Sequence, residues 1–356
     1  MSGEAALHYP LAEALPATGS SIEVAPGVRW LRMPLPFALN HINLWLLRDR
    51  LDGRDGWSIV DCGIADDATR AAWEQLFATG LDGLPVLRVI VTHLHPDHMG
   101  LCHWLTERWR SERSECRLWM SATDFAAARM IIATTSMVGG EGAAAFYRLH
   151  GLTDEGALAQ VKARGRYFVN MVPSMPDGYR RMMDGQALVI GEHSWECIAG
   201  YGHAPEHISL WCAALNVLIS GDMVLPRIST NVSVGNTEPE GDPLPLYLRS
   251  IADYRRLPGN ALVLPSHGKP FVGLHSRVMQ LEQHHEERLD VVLEACADQP
   301  RSAAELLQVM FRRTLDLHQT TFAMGEAIAH LHALVGRGRM NQALDADGIL
   351  RFRTAR

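Results

Sequence analysis

The 356-residue chain is 47% hydrophobic and 21% charged with a formal net charge of −7, which describes a globular protein of one large domain or two ordinary ones and excludes a disordered or fibrous chain. No run of about 18 apolar residues is available to cross a bilayer, and the start of the chain lacks the basic and apolar regions of a secretory signal, so a cytoplasmic protein with no membrane partner is expected. The basic residues, almost all arginine, number 33 against 40 acidic ones, which leaves no general electrostatic case for nucleic acid.

Residues 1–20 are rich in Ala, Pro and Ser and read as a loose arm. Residues 22–35 alternate in the manner of a hairpin with Pro26-Gly27 at the turn. Residues 40–47 and 57–60 read as two further strands around a turn-rich segment, and the second ends in Asp61-Cys62-Gly63. Residues 65–79 carry Ala68, Ala71, Ala72 and Leu76 at helical spacing, with Asp66 and Asp67 at the end that favours negative charge. The six cysteines, Cys62, Cys102, Cys116, Cys197, Cys212 and Cys296, are scattered without a Cys-x-x-Cys pair, so they form neither a zinc ribbon nor a disulfide framework and read as buried small hydrophobes.

Residues 86–91 are an apolar run rich in β-branched side chains and predict a buried strand. It runs into Thr92-His93-Leu94-His95-Pro96-Asp97-His98. His93 and His95, two apart on extended backbone, point to one side, where two imidazoles can grip one cation. Pro96 ends the strand and sets Asp97 and His98 at the mouth of the next helix, aimed differently and free for a second ion. A lone His at a strand end is more often a hydrogen-bonded structural residue than a ligand. Three imidazoles and a carboxylate buried together without a cation, however, would leave unpaired polar groups costing roughly 1 to 3 kcal/mol each.

A helix is expected over 98–113 and a short strand over 117–120. Residues 121–184 turn helical and Ala-rich, too long for a plain connection. They are read as a helical insertion that covers the site, with Met130, Met137, Met171, Met175, Met182, Met183 and several aromatics able to shape an apolar pocket or to pack the insertion's own core. Strands resume at 186–190 and 195–199 and lead into Gly202-His203, then at 210–220 into Gly221-Asp222, and at 261–264 into Ser266-His267-Gly268-Lys269. His203, Asp222 and His267 thus share the position of the first cluster, at the end of an apolar strand, and strand ends along one sheet edge can converge. His41 and Asn43, on an early strand, and Lys269 are the candidate substrate contacts.

In the tail, helices are expected over 278–297, over 303–313 with Ser302 as cap, and from a Thr320 or Thr321 cap to 334, followed by a hairpin around Asp345-Ala346-Asp347-Gly348. From Arg277 onward ten arginines face eleven acidic residues, so a dominant phosphate-binding term is not expected. A packing or dimerisation module is the preferred reading, the second of which would give a homodimer, and the group Arg337, Arg339, Arg351 and Arg353 is what keeps nucleic acid as the alternative.

Taken together, Thr-His-x-His-x-Asp-His at 92–98, Asp61-Cys62-Gly63, Gly202-His203, Gly221-Asp222 and Ser266-His267-Gly268 resemble the metallo-β-lactamase-fold hydrolases over about residues 25–270, while 121–184 matches no common motif of that family. The resemblance implies an α/β αββα sandwich: a catalytic domain over 20–275 containing the helical insertion, and a C-terminal winged-helix-like domain over 276–356. It implies that His93, His95 and His203 bind one metal, that Asp97, His98 and His267 bind the other, and that Asp222 bridges them, with Asp97 and Asp222 in catalytic roles. His207 is not counted as a ligand, and Asp61 is expected to orient a ligand histidine. True β-lactamases of the fold lack part of this set, so it looks like the glyoxalase II, lactonase and phosphodiesterase branches. Donors without thiolate suit two Zn²⁺, with Fe or Mn compatible. Two cations about 3.5 to 4 Å apart can hold a hydroxide between them. The expected activity is hydrolysis of a small-molecule ester, thioester or lactone by such a binuclear centre. A metal-dependent phosphodiesterase or endoribonuclease is the alternative, followed by a mononuclear-iron sulfur dioxygenase, which uses only part of the set. A binding protein on a degenerate scaffold would have lost ligands, and none is lost.

Overall fold

The structure, a computed structural model, describes residues 7–111, 115–134, 139–311 and 315–355. Met137, Arg113 and Arg313, placed by the sequence in the insertion and in two helices, lie outside the described residues, as do the first six residues of the expected arm.

The chain opens with β1 (Ser21–Ala25) and β2 (Val28–Pro34), joined at Pro26-Gly27 as expected, then β3 (His41–Leu51) and β4 (Arg54–Val60). Helix α1 (Asp67–Thr79) starts where the Asp66 side chain accepts from Thr69 N, a cap of the kind that satisfies an otherwise orphaned backbone donor. β5 (Val86–Ile90) is next. The helix expected over 98–113 is broken in two, α2 (Pro96–Met99) and α3 (Cys102–Arg108). The departure from helical geometry is at Leu101 (φ −96°, ψ 13°); Gly100 before it keeps helical dihedrals, and a Cβ there would lie 2.7 Å from the backbone of residues 63–65, so glycine is what allows that close approach.

β6 (Arg117–Ser121), α4 (Ala122–Thr134), α5 (Gly140–Leu149), α6 (Glu155–Ala163), α7 (Tyr167–Met171) and β7 (Arg180–Met182) follow. The segment 121–184 is therefore not a single helical unit. β7 pairs in parallel with β6 as an edge strand, α4 and α7 pack on the first sheet, and α5 and α6 pack with the tail. Nor do its methionines gather: Met130 and Met183 are exposed, Met175 sits in the outer layer and Met182 in the inter-sheet core. A three-residue strand is too short to announce itself by period.

β8 (Ala187–Ile190), β9 (His193–Gly200), β10 (His207–Cys212) and β11 (Val217–Gly221) precede α8 (Pro243–Asp253), β12 (Leu262–Pro265) and β13 (Phe271–Val272). The tail is α9 (Leu274–Ala295), α10 (Ala303–Met310), α11 (Leu317–Gly336) and the hairpin β14 (Met340–Leu344) and β15 (Leu350–Thr354). Ser302 caps α10 in a capping box with Glu305, as the sequence suggested. α11 begins earlier than expected, capped by Asp316 rather than by Thr320 or Thr321.

Two sheets face each other. The first runs β1-β2-β3-β4-β5-β6-β7 and the second β13-β12-β11-β10-β9-β8. Alternation along β3 shows why: Trp45 and Leu47 enter the inter-sheet core with Trp30, Leu210 and Ile219, while Ile42, Leu44 and Leu46 face the outer helices with Trp73 and Leu105. The outer face of the second sheet is covered by α8 and the tail helices in one continuous core that includes Leu218, Val263, Tyr247, Val278, Leu306 and Ile328. This is the expected αββα sandwich. Among the described residues no helix is long and apolar enough to cross a membrane.

Candidate metal centre

The parallel strands β4 and β5 end side by side, and the turn after each carries chemistry. Asp61 takes φ 63°, a left-handed conformation that an Asp tolerates only where surrounding contacts hold it. Its carboxylate accepts from Thr92 N at 2.8 Å and from the Thr92 hydroxyl, clamping the start of the histidine loop. From the second sheet, β9 ends before His203, β11 before Asp222 and β12 before His267. These strand ends meet at one edge of the sandwich.

All seven residues singled out by the sequence converge. One donor atom from each of His93, His95, His203 and Asp222 lies within 4.8 Å of the others, and the same holds for Asp97, His98 and His267. His93 Nε2 is 2.9 Å from His95 Nδ1 and 3.1 Å from His203 Nε2. Asp222 Oδ2 is 3.3 Å from His203 Nε2, and its Oδ1 is 3.6 Å from His98 Nε2 and 3.5 Å from His267 Nε2.

The opposite ring nitrogens settle which tautomers are present, because most of their partners can only accept. His203 Nδ1 donates to Asn231 O at 2.7 Å, His267 Nδ1 to His41 O at 2.9 Å and His98 Nδ1 to Asp61 Oδ2 at 2.8 Å. The Thr92 hydroxyl gives its proton to Asp61, so it accepts from His93 Nδ1 at 3.0 Å. The facing Nε2 atoms of His93 and His203 are then both lone pairs, a repulsive arrangement unless a cation lies among them. Buried His98 Nε2 and Asp222 Oδ1 likewise have no hydrogen-bond partner. These orphaned lone pairs are the signature of residues shaped to hold divalent cations, with the rings of His93, His98, His203 and His267 fixed by outer hydrogen bonds.

The electrostatics divide the two groups of donors. Burial, then the neighbouring His98 and His95, holds His93 well below the ordinary imidazole range, and burial with His203 brings His95 down to about 3. Burial would raise Asp97, but His98 and His267 outweigh it and bring the carboxyl down to about 2. Asp222 is likewise held low, by His267 and His98 against burial. His93 and His95 are thus held neutral, the form that binds metal, whereas for His98 and His267 the carboxylates of Asp97 and Asp222, with Asp61 at His98, outweigh burial and raise the imidazoles, so a cation at the second group binds by displacing their protons.

Other expectations fare unevenly. His207 is a hydrogen-bonding residue, as expected: its Nε2 accepts from Asp222 N at 3.2 Å. Asn43 does not face a pocket. It is fully buried, accepts from Trp30 Nε1 and donates to Pro265 O and Gly268 O, because its amide is what joins β3 to the turn carrying His267. Lys269 is partly exposed, and its Nζ is bonded to Ala12 O and to the exposed Glu13 carboxylate. His41 spends its Nε2 on Gly268 N at 3.0 Å and its carbonyl on His267, and so supports a ligand. Sequence reasoning missed Asp124, which accepts from Leu94 N at 2.8 Å and Glu206 N at 2.6 Å and so joins the two ligand loops, and Asn231 and Thr230, which hold His203 and the Asp222 carbonyl. An acidic residue in the first turn after a short strand was the one available signal for Asp124.

The profile of the metallo-beta-lactamase superfamily matches residues 39–267, and that of the metallo-beta-lactamase-like C-terminal domain matches residues 289–355. The chain is similar to the probable metallo-hydrolase YqjP of Bacillus subtilis, 23% identical over 323 residues, covering 85% of this chain and 91% of that protein. It is similar to the crystal structure of a beta-lactamase domain protein from Burkholderia ambifaria, with 51% identity, 99% of each chain covered and a TM-score of 0.93. A metallo-beta-lactamase family protein from Thermus thermophilus is 27% identical, with 94% of this chain and 100% of that one covered and a TM-score of 0.74.

Proposed function

This chain belongs to the metallo-β-lactamase superfamily of hydrolases, and from that premise we propose that it hydrolyses a small ester, thioester or lactone at a binuclear metal centre. His93, His95 and His203 would hold one cation, Asp97, His98 and His267 the other, and Asp222 both. One observation carries the pairing: the two oxygens of Asp222 face different histidines, Oδ2 towards His203 and Oδ1 towards His98 and His267. A divalent cation in such a site supplies Lewis-acid polarisation of a carbonyl oxygen and lowers the pKa of water. Zn²⁺ is the proposed metal, with Fe or Mn compatible with the same nitrogen and oxygen donors.

The chain's own groups supply the rest. With its carboxyl down at about 2, Asp97 is ionised near neutrality, so it acts first as an acceptor; the carboxylate oxygen turned away from His98 and His267 can take a proton from attacking water and return it to the leaving group. Outer hydrogen bonds from Asp61, Asn231 and the His41 carbonyl keep three ligand rings from turning. A small substrate is favoured over nucleic acid because two of the four arginines around the hairpin are engaged in hydrogen-bonded ion pairs, Arg337 with Glu286 and Arg351 with Asp345 and Glu305. The complete ligand set also speaks against a mononuclear dioxygenase.

Metal analysis of the purified protein, combined with a panel of thioesters, lactones, phosphodiesters and RNA, tests the reading. Two bound transition-metal ions and turnover of an ester-type substrate are expected, with His95→Ala folded and inactive. Undiminished turnover in His95→Ala, or cleavage of RNA alone, would reject it.

A further inference from the structure

Three hydrogen bonds join the tail to one segment. After β11 the chain runs from Asp222 to Val234 with no helix or strand of its own. Its Thr230 hydroxyl donates to Asp222 O, and its Asn231 carbonyl takes the His203 Nδ1 proton. Apart from these side-chain contacts no regular structure holds the segment, yet most of it is buried. Arg277 of α9, itself almost fully buried, donates from Nε to Leu225 O at 2.6 Å and from a terminal nitrogen to Ile228 O at 2.8 Å. Val234 N donates to Gly325 O of α11 at 3.1 Å. A Cβ on Gly325 would lie 2.7 Å from Ser233 Cβ and Oγ, so glycine is what lets α11 come this close. Ser233 in turn donates to the Asn231 side chain at 2.7 Å.

We infer that the tail is a working part of the metal centre, with Arg277 and Gly325 as positioning residues that set His203 and Asp222 through the 222–234 segment. The inference rests on the metal-binding reading above. A guanidinium is suited to the task because its planar fork reaches two carbonyls of one loop at once, which an ammonium cannot do in the same geometry. Shifting this segment moves the acceptor that defines the tautomer and aim of His203, and the Thr230 hydroxyl that fixes the Asp222 carbonyl.

The test uses the full chain: wild type, Arg277→Lys, Gly325→Ala, Gly325→Val and, as a control, Arg351→Gln, which cuts ion pairs at the far hairpin. Zn²⁺ and Co²⁺ dissociation constants are measured by chelator competition, with the absorption spectrum of the Co²⁺ form and the melting temperature of the metal-free protein. Arg277→Lys and Gly325→Ala should fold and lose affinity on the order of 10- to 100-fold, with altered Co²⁺ bands, while Arg351→Gln matches wild type. If Gly325→Val fails to fold, Gly325→Ala and Arg277→Lys decide. Folded variants with wild-type affinity and spectrum overturn the inference and leave the proposed function standing. A wild type that binds neither ion overturns both.

Discussion

His98 Nδ1 lies 2.8 Å from Asp61 Oδ2, with both side chains sealed from solvent, and this contact commits the other imidazole nitrogen to the metal site. Asp61 serves Thr92 N with its second oxygen, so an amide at this position would set a donor against one of two donors. Asp61→Asn should therefore weaken metal binding on the order of 10- to 100-fold, read by zinc competition. Unchanged affinity would show that the contact is incidental.

Asp124 sits between the two loops that deliver His93, His95 and His203, one oxygen on Leu94 N and the other on Glu206 N. Asp124→Asn keeps the shape but turns an NH₂ towards one backbone donor, at a cost of about 1 to 3 kcal/mol for the unsatisfied group. We expect lower metal occupancy after dialysis against a mild chelator. Retention equal to wild type would remove Asp124 from the site's support.

At the opposite end of the sandwich, Arg88 and Asp49 form a buried pair at 2.8 Å, tied to Ser58 and to Val189 O and Gly191 N of the second sheet. Arg88→Met leaves the carboxylate buried and unpaired and should destabilise by roughly 3 to 5 kcal/mol in urea unfolding. Replacing Asp49 as well should recover much of the loss. A double variant no better than the single would contradict this account.

Buried His330 of α11 donates to Glu326 O and meets His285 of α9 at 3.3 Å. Burial, then the nearby His284 and Arg288, brings it down from 6.5 to about 4. A base with a depressed folded-state pKa contributes stability that is whole above 6.5 and drains away as pH falls towards 4. Relative to His330→Gln, wild type should lose up to about 1.36 kcal/mol per pH unit across that window. Parallel stability–pH curves for the two proteins would refute the assignment.

The sequence by itself determined the chemistry of the centre. His93 and His95 alternate on extended backbone, Pro96 turns the chain, and each later ligand closes an apolar strand. These are short-range features set by side-chain period and by backbone sterics, so they are legible in contiguous residues. The tertiary structure alone decided which residues serve the ligands. Asn43 reaches Pro265 across 222 residues and His203 reaches Asn231 across 28, and no local pattern encodes either contact. It also showed that Lys269 meets Glu13 and that the methionines of 121–184 are divided between layers. Which polar group meets which depends on how the layers pack, because a buried donor must find its acceptor wherever the fold brings one.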